Sequence, residues 1–223
     1  MRKHLSLIFI IGTIVVSVGI IGVLSYIEFV QNKKPNTQLE PQVQSLIVES
    51  DKKNKEAQDV LSKSTSTTED QQKAKQLLEE SINDAKKATE LQPNNPQTWY
   101  YLALVYKQLI SVNSTAGDLA EEAMKKALKL APNSPNLYDE LATIYILREN
   151  YQQAEDILLK AITLDPKGAN HYFKLGNVYK TLGQKDKARE NYLEAKKLAP
   201  PNNATNSAMI DAQLQSLEII PKH

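Results

Sequence analysis

The chain contains no cysteine. That excludes a disulfide framework, a thiolate nucleophile and a cysteine-ligated metal, and it leaves the redox compartment open. Histidine is scarce: His4, His171 and His223 are the full set. None has metal-site spacing or a nucleophile pattern beside it, so His171 reads as a solvated helix residue. Glycine is low, at 7 of 223 residues, and neither Gly176-Asn177 nor Gly183-Gln184 resembles a phosphate loop. The formal charge is +1, which gives no reason to expect a nucleic-acid partner. No segment sustains a period-two alternation, so no sheet is predicted. These absences together predict no enzyme activity and no cofactor.

What is present begins with an apolar run. Leu5 to Ile27 holds no charged residue over 23 positions. As a helix that is about 34 Å, enough for a hydrocarbon core of roughly 30 Å. The run predicts a transmembrane helix over 5–27, with the lipid bilayer as partner and a single-pass membrane location. A cleaved signal peptide is the rival; the run is long for one and no Ala-x-Ala site follows. Arg2 and Lys3 precede the run, which leans toward an extracytoplasmic soluble part. Gly12, Gly19 and Gly22 offer a small-residue face for self-association.

Beyond a linker over 28–41, the soluble part reads as helices, rich in Lys, Glu, Gln, Ala and Leu. A helical region over 42–93 comes first, with an almost wholly polar middle from Glu49 to Glu56 that defines no clear face. Thr68 with Gln71 suits a capping box, and so does Asp118 with Glu121. Asn95-Pro96 and Ser134-Pro135 each place a cap before a proline at the first helical position. Helices are predicted over 96–109, 118–131, 135–148, 151–164, 169–182, 185–198 and 204–219.

The helix ends fall into register. Ala127, Ala161 and Ala195 lie 34 residues apart, as do Leu130, Leu164 and Leu198, and Pro132, Pro166 and Pro200. Tyr138, Leu141 and Tyr145 recur as Tyr172, Leu175 and Tyr179. Small residues at Ala142, Gly176, Ala154 and Ala188 would let paired helices approach closely. A 34-residue helix–turn–helix period is the signature of a stacked helical repeat.

On these residues the chain resembles the tetratricopeptide repeat (TPR) family. Residues 169–202 carry its pattern as Tyr172, Leu175-Gly176, Tyr179, Ala188, Tyr192, Ala195 and Pro200. Residues 135–168 carry Tyr138, Leu141-Ala142, Tyr145, Ala154, Leu158, Ala161 and Pro166. Residues 96–134 carry Trp99, Leu102-Ala103, Tyr106, Ala120, Met124, Ala127 and Pro132, with five extra residues in the turn around Ser111 to Gly117. The expected fold is an all-α TPR solenoid: three clear units (96–134, 135–168, 169–202), a degenerate unit over 42–93, a capping helix over 204–219, and the transmembrane helix in front. Met209, Leu214, Leu217 and Ile220 are expected on or near the covering side of the capping helix.

The resemblance implies a groove lined by the first helices of the units, receiving a protein or peptide partner. Its lining maps to Gln97, Tyr100, Leu104 and Lys107 in the first unit, Asp139, Thr143 and Ile146 in the second, and Asn170, Phe173, Asn177 and Lys180 in the third. The alternative for Leu104 and Ile146 is a place in the core. Tyr100, Leu104 and Glu140 stand where carboxylate-clamping members have a lysine and two asparagines, which argues against a chaperone-tail ligand. The function this implies is a membrane-anchored adaptor or scaffold. The alternative is a permanent structural subunit of a larger membrane or envelope assembly.

Overall fold

A computed structural model describes residues 38–62, 67–110, 113, 115–199 and 204–218. Among these, nine α-helices run α1 (Pro41–Leu61), α2 (Thr68–Leu91), α3 (Pro96–Gln108), α4 (Ala116–Leu130), α5 (Pro135–Leu147), α6 (Tyr151–Leu164), α7 (Ala169–Thr181), α8 (Lys185–Leu198) and α9 (Ala204–Glu218). Consecutive helices pair as hairpins, α1 with α2, α3 with α4, α5 with α6 and α7 with α8; each hairpin then packs on the next, and α9 packs on α8. This is the stacked solenoid that the 34-residue register predicts.

The expected membrane helix is corrected. Among the described residues no helix is long and apolar enough to cross a membrane. The two longest, α1 and α2, span 21 and 24 residues but hold seven and ten charged residues. Each charge at a bilayer centre costs about 2.5–3.5 kcal/mol. The span 5–27 lies outside the described residues, as do 28–37 of the linker, Pro200 and Ile220. The lipid partner, the single-pass location and the extracytoplasmic placement are therefore withdrawn along with the anchor.

Local chemistry starts the helices, in part differently from expectation. Asn95 caps α3 by accepting a hydrogen bond from the Gln97 N–H, ahead of Pro96. The capping box of α2 forms one residue earlier than predicted. Thr67 accepts from the Asp70 N–H at 3.1 Å, and Asp70 accepts from the Thr67 N–H at 3.0 Å. Asp118 and Glu121 form no box, because α4 already begins at Ala116; both carboxylates turn to Arg148, the residue that caps the end of α5. Gly117 makes room for that arginine, since a Cβ there would lie 2.9 Å from Arg148 Cδ.

The second and third units close their hairpins with the same turn. Glu149 and Gly183, 34 residues apart, have φ of 60° and 73°. The next amides, Asn150 and Gln184, donate to the carbonyls of Tyr145 and Tyr179, both at 2.8 Å. This left-handed closure satisfies carbonyls that the helix end would orphan.

Packing within the hairpins follows a size rule. Ala103, Ala142 and Gly176 of the first helices are matched by Met124, Leu158 and Tyr192 of the second, all three of the latter fully buried. The smallest first-helix residue stands with the largest partner. A Cβ on Gly176 would come within 2.6 Å of the Tyr192 ring.

The α1–α2 hairpin shows why Glu49–Glu56 defined no face. Its inner row is Val43, Ile47, Ser50, Asn54, Ala57 and Val60, all buried. Two small apolar clusters sit at its ends, around Val43, Ile47 and Ala88 and around Ala57, Val60 and Ala74. Between them Ser50 and Ser81 exchange bonds: each hydroxyl donates to the other's carbonyl at 2.8 Å. The polar layer keeps helical period while breaking the hydrophobic one. At the far end, Ile210 and Leu217 anchor α9, whereas Met209, expected on its covering side, is 49% exposed.

Candidate functional site

The first helices α3, α5 and α7, followed by α9, lie side by side. Contacts between them recur at a sequence offset near the repeat length. Lys107 Nζ reaches Glu140 Oε2 at 2.5 Å from α3 to α5. Asn170 Nδ2 donates to Asp139 Oδ2 at 2.6 Å, and Lys174 Nζ donates to Thr143 Oγ1 at 3.0 Å, from α7 to α5. Lys180 Nζ donates to Gln213 Oε1 at 2.8 Å and Ser216 Oγ at 2.7 Å, from α7 to α9. A polar ladder thus crosses the face formed by the first helices. An ammonium shared between helices satisfies donors there, and partial exposure keeps its desolvation cost low.

The predicted lining residues meet on this face in different roles. Gln97 and Asn170 are exposed. Tyr100, Leu104, Lys107, Thr143, Ile146, Phe173, Asn177 and Lys180 are half-buried. Tyr100, Ile146 and Phe173 pack against the main core while keeping part of their surface in solvent. The Tyr100 ring stands edge-on to Tyr101, 5.4 Å between centroids, and burial followed by the Glu140 charge pushes its hydroxyl pKa up. Asn177 accepts the Tyr192 hydroxyl at 2.8 Å, which ties it to its own hairpin.

Asp139 is drawn inward, 4% exposed. His171, expected in solvent, is 3% exposed and lies against it, Nδ1 to Oδ1 at 2.7 Å. Asp165 Oδ2 lies 3.5 Å from the other ring nitrogen. Gly168 is the residue that admits this ring: a Cβ there would sit 2.2 Å from His171 Nε2. Asn170, His171 and Lys174 therefore fill the α5–α7 seam from three sides. Sequence reasoning missed this cluster because no column of the repeat holds a histidine. Gly168, one residue ahead of the predicted helix start, was the available signal.

One register position separates the seams. Tyr100, Asp139 and Phe173 are equivalent in the three units. Tyr100 stands near the Glu140 charge, and Asp139 is covered by Asn170 and His171. Phe173 faces a hollow of about 120 Å³ between α7 and α9, lined by Ala169, Asn170, Phe173, Ala199, Met209 and Ile210.

The opposite side carries a repeated clasp between hairpins. Tyr145 donates to Glu121 and Tyr179 to Glu155, both at 2.9 Å. Burial first, and then the Glu155 bond, push the Tyr179 pKa up to about 12; burial and the Glu121 bond raise that of Tyr145. Burial pushes Glu121 upward, but bonds from Lys125 and Tyr145 outweigh it and leave its pKa below the usual carboxylate value. No group of three or more His, Asp or Glu side chains that could hold a metal ion occurs among the described residues.

The architecture is of the tetratricopeptide kind, and comparison with known proteins agrees. Residues 135–167 and 157–190 each match a family model described as Tetratricopeptide repeat. No curated protein matches the chain. Among solved structures, the chain resembles the MamA protein with a TM-score of 0.53 at 23% identity, covering 79% of this chain and 86% of that one. A second MamA structure aligns with a TM-score of 0.50 at 24% identity, over 68% of this chain and 95% of that one. The Yersinia enterocolitica type III secretion translocator chaperone SycD aligns with a TM-score of 0.50 at 16% identity, over 57% of this chain and 86% of that one. At these identities the likeness is one of fold.

Proposed function

We propose that the chain is a protein-recognition module that holds a protein or peptide segment along the face of its first helices. The observation that carries this reading is the mixed surface there: Tyr100, Leu104, Ile146 and Phe173 each keep part of an apolar side chain in solvent beside the Lys107, Thr143, Asn170 and Lys180 polar groups. Such a face combines apolar anchors with polar groups that fix orientation, the composition expected of recognition surfaces. SycD, one of the similar solved structures, is a type III secretion translocator chaperone, and this supports a holding function. No membrane anchor enters the reading. A permanent subunit of a larger assembly is the second reading, and Leu159 and Leu193, 44% and 52% exposed on the second helices, favour it.

The test is capture of partners by the full chain, compared with a Phe173→Ala, Tyr100→Ala double variant whose fold is checked by thermal melting. Loss of capture with the fold intact supports recognition on the first-helix face. Unchanged capture moves the binding surface elsewhere. Loss only on Leu159→Asp and Leu193→Asp supports the assembly reading.

A further inference from the structure

Resting on that reading, we infer that the hollow between α7 and α9 is an anchor pocket for an extended, acidic-apolar peptide segment. One apolar side chain of the segment enters beside Phe173, and a carboxylate about three residues away meets Lys180.

The hollow has a structural cause in the repeat register. In the preceding seam, Lys174 of α7 reaches back over α5, donating to the Asp139 carbonyl at 3.2 Å and to Thr143. The last helix α9 starts 35 residues after α7 and buries Ile210 where α7 buries Leu175, so Met209 stands in the place of Lys174 and has no amine to reach across. Phe173 therefore keeps a free flank. Its ring is fixed from below by Tyr192, centroids 5.9 Å apart, so the pocket has a rigid aromatic wall. Met209, 49% exposed, forms the opposite rim; an unbranched thioether adapts to the shape of an incoming side chain.

The charge points to the second half of the motif. Lys180 lies two turns after Phe173 on the same face of α7. Its described contacts, Gln213 and Ser216, are both neutral. The other two lysines of the ladder each have a carboxylate within reach, Lys107 with Glu140 and Lys174 with Asp139. Lys180 is thus the ladder cation without a described carboxylate partner, and an ammonium has three donors, of which two are used. Seven helical residues rise about 10.5 Å, and an extended chain covers that in about three residues at roughly 3.3 Å each. At the pocket mouth Asn170 spends its amide N–H on Asp139, which leaves its carbonyl oxygen to accept a backbone N–H from the bound segment.

The test selects a phage-displayed random dodecapeptide library on the full 223-residue chain. The enriched sequences are then measured as fluorescent peptides against the chain and its variants. The expected enrichment is an apolar residue with Asp or Glu three positions away. Lys180→Gln is expected to weaken binding about tenfold and to flatten its salt dependence. Met209→Ser, a change at an exposed rim, is expected to weaken binding severalfold without altering the melting temperature. Enriched peptides that lack an acid, or that bind both variants as tightly as the parent, overturn the pocket. If those same peptides are lost on Ile146→Asp, the first-helix face still stands as the binding surface. A library that yields no binder overturns both.

Discussion

Gly176 and Tyr192 show how far single positions are coupled in this fold. A methyl at Gly176 would press into the Tyr192 ring at 2.6 Å. Gly176→Ala is therefore expected to cost about 1–3 kcal/mol by overpacking. Adding Tyr192→Leu should return most of that loss, because the pair then matches Ala142 and Leu158 of the preceding unit; urea unfolding of the single and double variants checks this. The leucine-glycine of the repeat was plain in the sequence, but the compensation was not, since it joins residues in separate helices. Tyrosine ionisation supplies a second residue-scale test. Burial pushes the Tyr192 pKa up to about 12, and Tyr179 reaches about 12 through burial and its bond to Glu155. The folded state holds these protons more tightly than the unfolded state, whose tyrosines ionise near 10. Their contribution to stability is then complete below pH 10 and is lost as the pH rises toward 12. Thermal melts over pH 9–12 should fall across that window, and tyrosinate absorbance of Tyr179→Phe and Tyr192→Phe should each lose part of the late-ionising step.

At the scale of elements, the repeat period disclosed the helices because apolar and small residues recur on it. It failed where polar residues occupy inner positions. The α1–α2 hairpin keeps Ser50, Asn54 and Ser81 buried, with Ser50 and Ser81 satisfying one another. No hydrophobic pattern could report that row. Ser50→Ala should leave the Ser81 hydroxyl without its partner hydroxyl and the Ser81 carbonyl without its donor, at a cost of about 1–3 kcal/mol. The Ser50→Ala, Ser81→Ala double variant should cost less than the two single changes added, which a double-mutant cycle by denaturant unfolding would measure. The hairpin turns give the converse case. Glu149 adopts the left-handed conformation that Gly183 adopts one repeat later. Glu149→Gly should stabilise, and Gly183→Ala should destabilise, each by about 1 kcal/mol, read from the shift in the urea midpoint. The sequence showed the glycine in one repeat and hid the requirement in the other. The candidate site was legible to a similar degree. Register named the face, whereas the burial of Asp139 and His171 depended on Gly168 admitting a ring, a matter of three-dimensional fit.

Over the whole molecule, stability and the proposed recognition draw on the same first helices. Ladder contacts tie α3, α5, α7 and α9 in series, so the face is held by the stack and not by any one hairpin. Each hairpin alone would leave an apolar side bare. The buried Asp139–His171 contact ties α5 to α7 across the middle seam. Asp139→Ala should strand His171, Asn170 and Lys174 and raise amide exchange in α7 and α8 more than in α3 and α4, as hydrogen exchange would register. The central claim is that a partner lies on the first-helix face, and site-specific photo-crosslinking reports on it most directly. A benzophenone amino acid placed at exposed Gln97 or Asn136 on the first helices, and separately at exposed Leu159 or Leu193 on the second helices, samples the two sides of one molecule. The account predicts partner adducts from Gln97 and Asn136 and none from Leu159 and Leu193. Adducts confined to Leu159 and Leu193 would contradict it.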